Sequence, residues 1–233
     1  MPLITEHQFL EEVPLQADSR ALILGTIHPY APQAAENFLC RFFYGNKYSL
    51  WGIFKEVFPH LPIDAKDQIA CPVQAAGKIK RMLREYHIAI SDTVKVAIRP
   101  DHEPSADRFL PGTQYHYELI QQIRQAAALE SIFFTGKKVL DIFRSLYLDT
   151  VRKAGLSAAN VFPKNIGSGE IFTLRDDVYF CKELRCILLP SPSPGAARGK
   201  SRAFLSSGYA DYAQWRLSFY RQALSEIFNK PPR

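Results

Sequence analysis

Largely apolar runs that stop abruptly at glycine or proline restrict this chain to few architectures. Ala21–Ile27 is continuously apolar up to Gly25 and then breaks into His28-Pro29-Tyr30. Ser131–Phe134 stops at Thr135-Gly136, and Arg185–Leu189 runs into Pro190-Ser-Pro-Ser-Pro194. A run with no polar alternation is the mark of a strand covered on both faces. Ile88–Ser91, ending at Asp92, reads as a fourth, shorter strand. Between these runs the spacing is helical: Ser49–Phe58, Pro72–Tyr86 with a basic face of Lys78, Lys80, Arg81 and Arg84, Tyr115–Leu129, Lys137–Lys153 and Tyr209–Phe228. Ile171–Phe180 reads as a hairpin or extra strand pair turning at Asp176-Asp177. Strands alternating with helices imply βαβ units. The expected fold is α/β: three layers, with a central, mainly parallel four-stranded sheet flanked by helices, residues 1–233 forming a single domain. Ligands of such sheets bind in the crevice at the strands' carboxyl ends.

Composition narrows the function. With 233 residues and 47% hydrophobic content the chain can bury a sizeable core. A net charge of +6 is compatible with a polyanionic partner. The four cysteines, Cys40, Cys71, Cys181 and Cys186, form no Cys-x-x-Cys pair, so ordinary buried thiols are expected and no metal site. Residues 1–14 carry Glu6, Glu11 and Glu12 in place of the basic-then-apolar order of a signal peptide, and no apolar run is of bilayer-spanning length. A cytoplasmic protein is expected. The stretch from Ile98 to Gln114, with three prolines, is longer than a connector needs and is a candidate functional loop.

Five blocks, in order, resemble the uracil-DNA glycosylase superfamily, most of all its mismatch-specific and hypoxanthine-DNA glycosylase branches. They are Gly25-Thr-Ile-His28-Pro29-Tyr30; Tyr44-Gly45-Asn46-Lys47-Tyr48-Ser49-Leu50-Trp51; Ile90-Ser-Asp-Thr93 with Ser105-Ala-Asp-Arg108; Ile132-Phe-Phe-Thr-Gly-Lys-Lys138; and Leu189-Pro-Ser-Pro-Ser-Pro194. The second is one residue shorter than in those branches. Two positions depart from the pattern. Thr135 stands where related enzymes read uracil with an asparagine, and His28 stands where many carry Asp or Asn. Both point away from ordinary uracil specificity and toward the hypoxanthine-type branch or another base.

The resemblance implies a protein that flips a nucleotide out of DNA, double- or single-stranded, and hydrolyses the N-glycosidic bond of a damaged base. It implies a cytoplasmic, nucleoid-associated monomer with no cofactor. Charge develops on the departing base, so donors facing it carry much of the catalysis. The backbone around Gly25, Thr26, Ile27, His28 and Pro29 is one candidate for that role, or else an ordinary strand-end turn. Tyr44, beside Gly45, and Phe43 are candidates to stack on the base, while Phe42 and Trp51 are expected in the core. Asn46 and His28 compete to position the water, with Asn46 favoured. Asp92 either contacts the base or caps a turn, and Thr135 faces the base. Ser191, Pro192, Ser193 and Pro194 are expected to grip phosphates, with Ala197 and Arg198 entering the duplex and Lys200 and Arg202 neutralising charge. One of Lys137 and Lys138 is a further phosphate contact. Two alternatives stay open: a non-catalytic DNA- or nucleotide-binding domain of the same fold, and a small-molecule nucleoside hydrolase.

Overall fold

A computed structural model describes residues 3–27, 42–43, 50–64, 71–99, 113–157, 161–192 and 202–229. Its elements are β1 (Leu3–Glu6), β2 (Ala21–Gly25), α1 (Leu50–Val57), α2 (Pro72–Glu85), β3 (Ile88–Asp92), β4 (Val94–Arg99), β5 (Gln114–Tyr115), α3 (Glu118–Gln125), β6 (Ser131–Phe134), α4 (Lys137–Lys153), β7 (Glu170–Asp176), β8 (Lys182–Leu188), α5 (Arg202–Leu205) and α6 (Tyr212–Phe228).

The central sheet has the order β3-β2-β6-β8-β7. Its first four strands are mutually parallel, and β7 pairs antiparallel with β8. The sheet therefore has five strands and not the expected four. Ile171–Phe180 is not a strand pair in itself. It holds β7 and the turn that follows, and the return strand is β8. Asp176 shapes that turn, its carboxylate accepting the amides of Val178, Tyr179 and Phe180 and the hydroxyl of Tyr147. Gly169 leads into β7 at φ +87, where any Cβ would come within 2.7 Å of the Trp215 ring.

Alternating side chains of the central strands feed two cores, as period-two geometry requires. Ile23, Ile88, Ile90, Phe133 and Ile187 pack with α1, α2 and α6 on one face. Leu22, Leu24, Ile132, Phe134 and Leu188 pack with α3 and α4 on the other. The three-layer expectation holds on both faces.

A second, three-stranded antiparallel sheet, β1-β4-β5, was not expected. β4 carries Val94, Val96 and Ile98, a β-branched pattern that suits a strand. Its partner β1 lies about ninety positions earlier in register, Leu3 opposite Arg99, so no local pattern announces the pairing. Tyr115, expected to open a helix, instead ends β5, and α3 begins at Glu118. Of the described cysteines only Cys186 is buried. Cys181 is exposed and Cys71 half-buried, contrary to the expectation of buried thiols.

Candidate functional site

The strand order makes β2 the switch point: the chain leaves it for β3 on one side and later crosses to β6 on the other. In sheets of this kind the crevice opens outside the carboxyl ends at such a point. Four of the sequence blocks converge there. Gly25 lies opposite Asp92 in the β2–β3 ladder, Leu24 opposite Phe134 in β2–β6, and Phe134 opposite Leu188 in β6–β8.

The end of β2 is held from two sides. The amide and hydroxyl of Thr93 both donate to Gly25 O, at 2.9 and 3.1 Å, and the Val94 amide donates to Thr26 O at 3.0 Å. Thr26 and Ile27 are buried. Thr135 donates twice to a single carbonyl, Leu24 O, from its amide at 2.9 Å and its hydroxyl at 3.0 Å. Its hydroxyl proton is thus committed to the sheet, and only oxygen lone pairs are left to meet a ligand.

Gly136 then opens α4, a helix of 17 residues whose amino end sits at this edge. Helix amino ends favour negative charge. A Cβ at Gly136 would stand 3.7 Å from that of Ser191, so the ends of β6 and β8 touch. The segment after β8 is strapped to α6. Tyr220 Oη donates to Pro190 O at 3.0 Å, and Arg216 Nη1 reaches Ser191 O at 3.4 Å. Pro192 is buried. Arg216 Nε is enclosed without a hydrogen-bond partner among the described residues.

At the end of β3, Asp92 is fully buried and its Oδ2 lies 2.7 Å from His7 Nε2, on a ring that is itself 1% exposed. The other nitrogen, His7 Nδ1, lies 3.1 Å from the Phe9 amide, which can only donate. Nδ1 therefore carries the lone pair and Nε2 the proton, which is donated to Asp92. The histidine is neutral and its tautomer is set by the backbone. On the same strand end, His116 Nδ1 lies 3.1 Å from Asp92 O, so here Nδ1 carries the proton. Burial holds the His116 imidazole below its ordinary pKa.

Over His7 lies the aromatic block. The Phe43 ring is 5.0 Å from the histidine ring, and Phe42 stacks on Trp51 at 5.9 Å. Trp51 Nε1 donates to both Phe42 O and Phe43 O, at 3.2 and 3.0 Å. Phe42 and Trp51 are core residues as expected. Phe43, expected as a stacking candidate, is a core residue too, only 1% exposed, because the rings of His7, Phe9 and Phe42 surround it.

The basic face of α2 is largely spent inside the protein. Lys78 pairs with Asp64 at 2.7 Å, Lys80 with Glu12 at 2.6 Å, and Arg84 donates to Glu12 O at 2.9 Å. Lys137 pairs with Asp141 one turn along α4. His28, Pro29, Tyr44, Gly45, Asn46, Ser193, Pro194, Ala197, Arg198 and Lys200 lie outside the described residues, as does much of the stretch from Ile98 to Gln114.

His7 is the group that sequence reasoning missed. It sits just beyond β1, and its partner is 85 positions away, so nothing in its neighbourhood announces it. Among the described residues no three His, Cys, Asp or Glu side chains group as metal ligands, and no helix is long and apolar enough to cross a membrane.

No family model and no curated protein matches this chain. A solved structure does: the solution NMR structure of a Methanosarcina acetivorans protein provisionally named a uracil DNA glycosylase. It is 16% identical, with 97% of this chain and 99% of that chain covered, at a TM-score of 0.48. A likeness of that size decides neither family nor activity.

Proposed function

We propose that the protein is a DNA glycosylase that excises a deaminated or mismatched base, of the uracil or hypoxanthine type, by hydrolysing its N-glycosidic bond. One observation carries the reading. Four blocks that resemble glycosylase motifs, separated by up to about 170 positions, end side by side at the switch point of one parallel sheet. Sequence resemblance alone does not require that convergence. The edge also suits the chemistry. The amino end of α4 offers backbone donors for a phosphate or a departing base. Asp92, bonded to His7, ties the end of β3 to the segment that follows β1. In this reading Asn46, or else His28, positions the water, Tyr44 stacks on the base, Arg198 enters the duplex, and Ser193 and Lys200 meet the DNA backbone.

The commitment of the Thr135 hydroxyl to Leu24 O favours a second reading, a non-catalytic DNA- or nucleotide-binding domain, because that group has no proton left for a base. Incubating the protein with duplexes carrying uracil, hypoxanthine, xanthine or mismatched thymine, followed by alkaline cleavage of abasic sites, separates the two. Strand cutting at any lesion supports the enzyme. Lesion binding without cutting supports the module, and action on free nucleosides alone overturns both.

A further inference from the structure

Next to the amino end of α4, a groove of about 260 Å³ runs along the helix between Lys138 and Asp149, with Ile142 and Leu146 lining it and Tyr115 and Tyr117 facing them. These two tyrosines flank His116 in sequence but point the other way. His116 is buried and bonded to Asp92 O, whereas Tyr115 and Tyr117 are 39% and 37% exposed. The aromatic pair is thus fastened directly to the carboxyl end of β3 while more than a third of each residue stays exposed. The rings meet edge-on, with centroids 6.5 Å apart.

The charges of the groove divide into spent and unspent. Asp141 is paired with Lys137. Asp149 is engaged by Arg152 and by the Tyr117 hydroxyl, both at 3.4 Å. Lys153 lies over the Tyr117 ring, 4.7 Å from its centroid, which occupies one aromatic face. What remains is the Tyr115 ring and the exposed Lys138, which has no partner among the described residues, in the first turn of α4. An exposed aromatic ring and a cation in a groove that Ile142 and Leu146 also line complement a planar base carrying a phosphate.

We propose that this groove binds one unstacked nucleotide of a nucleic-acid strand, its base against Tyr115 and its phosphate at Lys138. It extends the glycosylase reading to the strand flanking a flipped nucleotide, yet the binding itself does not depend on excision. The test uses the full chain and a fluorescent oligothymidylate that carries no lesion, with affinity read by anisotropy across a salt series. Tyr115→Ala is expected to weaken binding about five-fold or more, and Tyr115→Phe, which keeps the ring, to hold the original affinity. Lys138→Ala is expected to reduce the log–log salt slope by about 0.7, the share of a single phosphate on a single strand. Both side chains are exposed, and unchanged circular dichroism confirms folding. Unchanged affinity in Tyr115→Ala overturns the base contact, and an unchanged slope in Lys138→Ala overturns the phosphate contact. Competition by polyglutamate as strong as by unlabelled oligothymidylate also overturns the proposal, since it reduces the groove to a general polyanion surface. Excision assays run in parallel keep the two claims apart. Loss of oligothymidylate binding in Tyr115→Ala without excision by the parent protein sinks the glycosylase reading alone, and the converse sinks the groove alone.

Discussion

The two ends of the parallel sheet differ in how their polar groups are satisfied. At the amino ends of β2, β6 and β8 lies a cleft of about 330 Å³, and most of its charges are paired with one another across the surface. Arg20 grips Glu130 at 2.9 Å, His87 meets Asp18 at 3.0 Å, and Arg185 meets Glu226 at 2.5 Å. At the carboxyl ends the polar groups are short side chains tied to backbone: Thr93 to Gly25 O, Thr135 to Leu24 O, and His7 between Phe9 N and Asp92. Pairs of long, solvated side chains fill a cleft without committing it to a ligand, and they contribute little to stability. Short groups anchored to strand ends hold their positions, and the helix amino end beside them adds a directed field.

The comparison breaks most visibly in the chemistry. If the carboxyl end is catalytic and Asn46 positions the water, Asn46→Ala should lower single-turnover excision by a factor of about 100 to 10,000 while lesion binding survives. If His28 does so, the loss should move to His28→Ala, with partial recovery in His28→Asn. Full excision in both variants would remove the active centre from this end.

The next effect is on stability. His7→Phe keeps an aromatic ring against Phe43 but strips the buried Asp92 carboxylate of a donor, which costs about 3 kcal/mol or more. Urea denaturation measures it, and a loss below about 1 kcal/mol would mean that the pair is no lock. His7→Gln, which can still donate from its amide, should recover part of the difference.

A smaller loss is expected for Trp51→Phe, which removes the indole donor shared by Phe42 O and Phe43 O, on the order of 1–3 kcal/mol in the same assay. His116 adds a pH-dependent share. Its folded pKa is lowered, so the unfolded chain binds a proton first. Stability should be complete above about pH 6.5 and decline as the pH falls from there toward the folded value. A His116→Gln variant with the same acid slope would assign that decline to other groups.

The smallest effect belongs to the opposite end. Arg20→Ala should cost at most about 1 kcal/mol, because Arg20 and Glu130 are both well exposed, and it should leave excision unchanged. A large fall in excision from Arg20→Ala would reverse the assignment of the two ends.

The central layer was legible from sequence because its signals are local. Ala21–Gly25, Ile88–Asp92 and Ser131–Phe134 are buried almost throughout, as is the Cys186–Leu188 end of β8, and burial on both faces demands apolar residues at nearly every position. The helices on either side carry their own periodicity in the same way. From these the α/β class, the parallel pairing and the edge at which such sheets bind ligands all follow from sequence.

Tertiary structure alone decided the rest. β1 pairs with β4 across some ninety positions, and β7 joins the sheet as an antiparallel fifth strand; both depend on contacts between distant segments rather than on any local period. The fates of individual polar residues were equally hidden. Lys78 and Lys80 look like a phosphate-binding face until Asp64 and Glu12 are folded against them, and Phe43 looks like a stacking platform until His7 and Phe9 close around it. Residue type states what a side chain can do. Which donor, acceptor or ring it meets is set by the path of the chain around it, and no short stretch of sequence contains that path.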